Sequence, residues 1–443
     1  MMINLRTQRI LRDIFLGGVL AWCFVGALAG QARAGNDGAK TPSPSAASTS
    51  RTALQLPINK AKFETWLVGL RKEALSQGIR AGTLDSALAN LSPIPRVIEL
   101  DRRQPEFALT FRDYIKRLVS PERIKNGQLK YNENKSLLKK IQAKYGVQGR
   151  FLTAFWGVET DFGRLSGGYF PVIGALATLA YDGRRSAFFR AQLIDALKIL
   201  DQGNIDLAHM KGSWAGAMGH FQFIPSTFMA YAVDFDGDGK RNIWSDKKDG
   251  FASAANFLSH SGWNAHQTWG REVVVPQKFD YDLTGLGVQK TLGQWQKIGV
   301  RRPGGGDLPK ADMKASLVLP AGHRGPAFLV YQNFRAMMVW NRSVNYALAV
   351  GYLADRIVGL GEMYNSGPKD DVALTRTQVL RMQTLLNTLG YDVGAPDGIA
   401  GAQTRKAVAN FQRQTGAIAD GYPSLDVLVA LNKADASKTS SGN

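Results

Sequence analysis

Phe151-Leu152-Thr153-Ala154-Phe155-Trp156-Gly157-Val158-Glu159-Thr160-Asp161-Phe162-Gly163 is the stretch from which the fold is read. As a helix it places Phe151, Phe155, Phe162 and Glu159 on one face, because the rings lie eight, four and three residues from the Glu. Asp161, two residues on, points elsewhere. Gly163 reads as the helix stop. A carboxylic acid against apolar rings loses solvation, and its pKa rises. That is how a protein keeps a general acid protonated near neutral pH. On this window alone a competing reading stands: a Glu that snorkels to the helix edge or pairs with a buried Arg.

The rest of the chain weighs between the two. With 443 residues it is long enough for two to four domains. Residues 1–34 read as a secretory signal peptide: Arg6, Arg9 and Arg12 precede an apolar run from Ile14 to Ala29, and Ala32-Arg33-Ala34 is a small-x-small cleavage site. Left uncleaved, the same segment would be a short membrane anchor. The one cysteine, Cys23, lies inside it, so the mature chain has neither a disulfide framework nor a thiolate site. The five histidines show no metal-ligand spacing. The formal net charge is +19, and residues 1–34 contribute four Arg and one Asp, which leaves +16 on the mature chain. So basic a surface seeks a polyanion. Export points to the cell wall or an anionic membrane surface rather than to nucleic acid, for which no motif is present.

Residues 35–56 are rich in Ser, Thr, Ala and Pro and read as a disordered linker. From Ile58 apolar residues recur at helical spacing: Phe63, Trp66, Leu67, Leu70 and Ala74. Further helices are expected at Leu84–Leu91, Phe107–Leu118, Asn132–Tyr145, Val172–Tyr181, Ser186–Leu200 and Ala336–Leu360, with an irregular Gly-rich stretch at Ser213–Pro225 and a few strands within 271–332. A linker at 365–373 precedes three short helices at Thr375–Gly390, Ala402–Thr415 and Ser424–Leu431, with Asp397-Gly398 and Asp420-Gly421 as a weak internal echo. Residues 434–443 read as a disordered tail.

Gly157-Val158-Glu159-Thr160-Asp161-Phe162-Gly163 resembles the signature of lytic murein transglycosylases of the B type. Ser213-Trp214-Ala215-Gly216-Ala217-Met218-Gly219-His220-Phe221-Gln222-Phe223-Ile224-Pro225-Ser226 resembles that family's second block. Asp101–Phe107, Asp234–Gly239 and Asn333-Phe334-Arg335 also match. Residues 374–433 resemble a small peptidoglycan-binding module, through Gln383, Leu389-Gly390-Tyr391, Asp397-Gly398, Thr404, Ala407-Val408 and Phe411-Gln412. The module departs from its pattern at Tyr422-Pro423-Ser424, where a Gly and a Thr are usual. The resemblance implies a mainly α fold: a lysozyme-like α+β catalytic domain over 57–364 with a small β-containing insertion, and a C-terminal three-helix domain.

It also implies the chemistry. Such an enzyme cleaves the β-1,4 bond between N-acetylmuramic acid and N-acetylglucosamine and leaves a 1,6-anhydro end, with one glutamate, matched here by Glu159, acting as acid and then as base. Two-carboxylate glycosidases need a second acid; here the sugar's own 2-acetamido group serves. Ser213 and Gln222 match positions that contact N-acetyl groups or orient the glutamate. Arg184 and Arg185 match basic residues near the peptide stem, where a guanidinium holds a carboxylate in two bonds. Tyr346 matches an aromatic near the catalytic group, and Trp340 stands at a substrate-binding position where a Tyr is common, a change that keeps a ring for stacking on the sugar and loses the hydroxyl. The partners implied are glycan strands and stem peptides in the periplasm of a Gram-negative bacterium. No cofactor is required for catalysis.

Asp234-Phe235-Asp236-Gly237-Asp238-Gly239-Lys240 fits the front of a calcium loop: Asp234, Asp236 and Asp238 hold positions one, three and five, and Lys240 holds the carbonyl position seven. Ser245 occupies position twelve, so Asp246 or Asp249 would have to supply the late carboxylate. The loop is either an Asp/Gly turn without metal or the seat of a Ca2+ ion, which would be structural. Two other functions compete with the transglycosylase: a muramidase that hydrolyses the same bond, and a wall-binding scaffold without activity.

Overall fold

The computed structural model describes residues 60–102 and 109–441. The expected signal segment and linker lie outside the described residues, as does most of the Asp101–Phe107 motif. The described residues form two compact units, one of 60–102, 166–230 and 237–245, the other of 109–165, 231–236 and 246–441.

The first unit is built around the Val172–Asp182 helix, buried along almost its whole length from Val172 to Ala180. Its run of Ala and Leu leaves no polar face, so neighbours must cover it on every side. The Ser186–Asp201 helix and the Pro95–Arg102 helix pack on it. The Lys60–Ser76 helix sets Phe63 against Tyr181, with ring centroids 5.1 Å apart. Strands β1 (Phe170–Pro171) and β2 (Lys211–Gly212) pair antiparallel and open the Ser213–Pro225 stretch. That stretch is irregular, as its glycines foretell: Gly216 and Gly219 have positive φ, and so does Gln222.

The second unit contains the Gly149–Thr160 helix, buried from Phe151 to Gly157. Here the structure corrects the sequence reading. The helix stops at Asp161, not Gly163, because Asp161 and Phe162 are both left-handed (φ 51° and 57°). Phe162 therefore leaves the ring face and folds back over Gly157. A Cβ at Gly157 would sit 2.6 Å from Phe162 Cζ, so only glycine admits the return. Asp161 does point elsewhere: its carboxylate takes Arg164 Nε at 2.8 Å.

A second correction concerns Ala336–Leu360, which is two helices, Gln332–Trp340 and Val344–Ile357. Asn341 Oδ1 accepts the Ser343 N–H at 3.0 Å, and Ser343 Oγ accepts the Tyr346 N–H at 3.2 Å, so the break carries its own N-cap. The helices expected at Phe107–Leu118 and Asn132–Tyr145 begin later, at Phe111 and Lys135, and Pro121–Glu133 is a further helix, started by Ser120 as N-cap and Pro121 at its first position.

Strands β3 (Gly270–Val273), β4 (Lys290–Thr291), β5 (Lys314–Val318) and β6 (Ala327–Val330) form an antiparallel sheet in the order β3-β6-β5-β4. The short strands expected in 271–332 are this sheet, with its own core around Trp295, Leu317 and Leu329. The C-terminal helices, Arg376–Thr388, Ala402–Gln414 and Leu425–Ser441, also have their own core, centred on Met382, Leu386, Val408 and Leu431. The last runs well past Leu431, so residues 434–441 continue the helix where a disordered tail was expected. The internal echo is structural. Gln383 caps the Asp397-Gly398 turn through both ends of its amide, and Gln412 does the same for Asp420-Gly421. The departure from the module's pattern falls on that second turn: Asp420 accepts the His323 N–H at 2.8 Å, and the Tyr422 hydroxyl donates to Asp371 at 2.7 Å.

The Val344–Ile357 helix passes the indole of Trp269 at Gly351, where a Cβ would meet Trp269 Cγ and Cε2 at 2.7 Å. Trp269 cannot retreat, since its Nε1 donates to Asp355 at 2.9 Å and Asp355 also takes Arg150 Nη1 at 2.9 Å. Gly351→Ala is therefore expected to destabilise the protein by about 1–3 kcal/mol, the range for an overfilled core. Urea unfolding at constant m-value measures it.

Candidate active site

Glu159 lies in the last turn of its helix and is half-buried. Two donors converge on one of its oxygens. Trp340 Nε1 donates to Oε1 at 3.0 Å, and the Tyr346 hydroxyl donates to the same atom. Among the described residues, neither the buried Arg nor the exposed helix edge of the competing reading is found. The indole is clamped by rings: Phe155, one turn before Glu159, lies 4.6 Å from Trp340 between centroids, and Phe257 meets it edge-on at 5.1 Å.

Loss of water around the carboxyl is the largest influence on its pKa and raises it, while the hydrogen bonds from Tyr346 and Trp340 pull it down; the balance is about 7. The Tyr346 hydroxyl is pushed well above its ordinary range, first by burial and then by Glu159 itself, so it stays a donor.

The structure adds two residues that the sequence reading missed. Burial, with Glu159 second, also raises the pKa of Tyr114, on the Phe111–Leu118 helix, and its hydroxyl is hydrogen-bonded to Ser343. Ser343 thus caps the helix that carries Tyr346 and holds Tyr114. An S-x-x-Y spacing signals the cap, but nothing in the sequence links Tyr114 to it.

The other expected site residues lie in the first unit. Ser213 is buried, and its Oγ accepts the Ala215 and Ala217 N–H groups at 3.3 and 3.1 Å, which fixes the turn. Gln222 is left-handed (φ 51°), and its amide donates to Gly219 O at 3.0 Å. Arg184 and Arg185 converge on the buried carboxylate of Asp101, at 3.1 and 3.0 Å. The carboxylate that both hold belongs to the chain itself.

In the second unit, carboxylate oxygens of Asp234, Asp236 and Asp249 lie within 4.8 Å of one another. Asp249 is buried and accepts the Phe235 N–H at 2.7 Å, whereas Asp246 caps its own helix by accepting the Lys248 N–H at 2.6 Å. Three hard oxygen donors suit a calcium-type cation. The Lys248 ammonium already brings positive charge there, 2.7 Å from Asp236 Oδ2. Asp238 accepts the Lys240 N–H at 2.8 Å within its own turn.

The sequence matches a model of the transglycosylase SLT domain over residues 62–355 and one of a peptidoglycan binding domain over 375–431. It is 31% identical over 257 residues to the membrane-bound lytic murein transglycosylase B of Escherichia coli (strain K12), a match spanning 55% of this chain and 66%, just under two thirds, of that relative. Among solved structures it is similar to SltB3 from Pseudomonas aeruginosa in complex with NAG-anhNAM-pentapeptide: TM-score 0.82, 48% identity, covering 84% of this chain and 99% of that one. It is also similar to the Escherichia coli lytic transglycosylase Slt35 in complex with calcium: TM-score 0.57, 27% identity, covering 66% of this chain and 92% of that one.

A carboxyl whose folded pKa is about 7, against an ordinary 4.5, binds more protons folded than unfolded between those values. Stability therefore falls as pH rises through that window and levels off above it. At 1.36 kcal/mol per pH unit the penalty is about 3 kcal/mol at pH 8. Glu159→Gln, which keeps an acceptor for both donors, should raise the melting temperature over the parent at pH 8, with the gain vanishing near pH 4.5. Paired thermal scans across pH measure it.

Proposed function

The chain belongs to the transglycosylase SLT family, and on that premise we propose that it is a periplasmic lytic transglycosylase of Gram-negative peptidoglycan. It cleaves the β-1,4 bond from N-acetylmuramic acid to N-acetylglucosamine and leaves a 1,6-anhydromuramic end. One observation carries the reading. Glu159 is a carboxyl lined by rings, with both donors on one oxygen and a pKa near the working pH. Desolvation, Tyr346 and Trp340 are what act on it, and no second acid is among them.

Glu159 gives its proton to the glycosidic oxygen as the C1–O4 bond breaks, and the 2-acetamido oxygen closes on C1. The resulting carboxylate is stabilised by the Trp340 and Tyr346 donors. It then takes the proton of the muramic 6-hydroxyl while O6 displaces the acetamido oxygen from C1. Glu159 ends protonated, as it began, and no water is consumed.

Ser213 and Gln222 take the family's N-acetyl-binding roles, each fixed by the hydrogen bonds of its turn. Arg184, whose side chain is 45% exposed, keeps N–H groups for a stem carboxylate beyond those it gives Asp101. The three C-terminal helices hold the enzyme to the wall. Asp234, Asp236 and Asp249 are proposed to take a structural calcium ion that replaces the Lys248 ammonium as counter-charge. Among the described residues no helix is long and apolar enough to cross a membrane, and export rests on residues 1–34.

Purified sacculi digested with residues 35–443 should release muropeptides lighter by one water, 18 Da, than hydrolysis products, with none from Glu159→Gln. Reducing-end products would instead identify a muramidase. Calcium should raise the melting temperature over that in chelator, and Asp236→Asn should abolish the rise. An equal response from both proteins would remove the metal.

A further inference from the structure

The two hydrogen bonds on Glu159 are not interchangeable. A tyrosine hydroxyl donates or accepts, whereas an indole N–H only donates. The indole's direction is set by packing, since Phe155 and Phe257 clamp its ring at 4.6 and 5.1 Å. Its N–H points at Oε1, 3.0 Å away, whether or not the carboxyl is ionised. The Tyr346 hydroxyl ends on the same oxygen, and among the described residues no hydrogen bond ends on Oε2. A proton on Oε1 cannot face the indole, which only donates, and a proton facing the Tyr346 oxygen would turn that hydroxyl's own hydrogen away from its one acceptor among the described residues and leave the indole on a poorer, protonated oxygen.

We propose that Trp340 is a positioning residue: its indole N–H reserves Oε1 of Glu159 as an acceptor and so confines the transferred proton to Oε2. This rests on the reading of Glu159 as the acid/base and extends it to the individual oxygens. The family likeness gives position 340 a stacking role toward the sugar. The geometry instead turns one face of the indole to Phe155 and its N–H to the catalytic group. In the acid step Oε2 gives its proton to the leaving oxygen, and the charge left on the carboxylate is met at Oε1 by donors already aimed there. In the base step the proton of the 6-hydroxyl returns to Oε2. No donor has to turn between the two steps, which is preorganisation in the electrostatic sense. The titratable groups that face the carboxyl are Tyr346, from the Val344–Ile357 helix, and Tyr114, from the Phe111–Leu118 helix; both are neutral near pH 7 because burial raises them.

The test removes the N–H and keeps the ring. Trp340 is replaced by 3-benzothienylalanine, in which sulfur stands for N–H, and separately by Phe. Each protein is compared with its Glu159→Gln counterpart by infrared difference spectroscopy at pH 5, which isolates the protonated Glu159 carbonyl band. The pH profile of kcat/KM is recorded on a soluble NAG-NAM-peptide. Two donors on the carbonyl oxygen lower its stretching frequency, so loss of one should move the band to higher wavenumber. It should also move the alkaline limb of the profile up by about one pH unit, the equivalent of one hydrogen bond to a charged group. The benzothienyl protein keeps the packing and should show both changes even where Phe perturbs the fold. An unmoved band and a coincident limb in the benzothienyl protein would overturn the proposal. If Glu159→Gln is inactive while the band stays put, only the role of Trp340 fails; if Glu159→Gln remains active, the acid/base reading fails with it.

Discussion

The structure depends on a carboxyl kept out of water and met by two fixed donors. Rings alone would push Glu159 further up and leave a weak acid that could not ionise. Donors alone would pull it into the ordinary carboxylate range. Trp340 and Tyr346 at Oε1, against the desolvation around it, bring it to about 7, where one group can give a proton and take one back.

Much of the second unit serves that balance. The helix that carries Glu159 ends one residue after it because Asp161 and Phe162 turn left-handed and Gly157 leaves room for the returning ring. The two donors come from opposite sides of a break in what could have been a single helix. Trp340 is the last residue of one segment, and Tyr346 sits in the first turn of the next. Ser343, between them, caps the second segment and bonds Tyr114. A continuous helix would place residues 340 and 346 on diverging faces; the break at 341–343 lets both reach one atom.

Helical period and ring composition are local and brought Glu159 forward as a candidate; the family resemblance chose between it and the competing reading. The mainly α class, the small β insertion and the three-helix module were legible for the same reasons. The tertiary decisions were not. Phe162 fits the period, yet the bare backbone at Gly157 let it leave the helix. Asn341-Arg342-Ser343 is a capping signal hidden inside an apolar run, so 336–360 read as continuous. Tyr114 lies 45 residues before Glu159, and no local pattern ties them. Trp340 was visible as a departure from a family pattern, but where its N–H points is set by Phe155 and Phe257. Arg184 and Arg185 were read as holding a stem carboxylate, and no local pattern shows that they also meet on Asp101, some eighty residues earlier.

The pH dependence of kcat/KM for the unmodified enzyme on a soluble NAG-NAM-peptide tests the central claim most directly, because it reports the free enzyme's acid. An alkaline limb with a midpoint near 7 is the predicted result. A limb near 4.5, the ordinary carboxyl range, would contradict it: Glu159 would then be ionised where the enzyme works, and the rings and donors around it would not make it an acid.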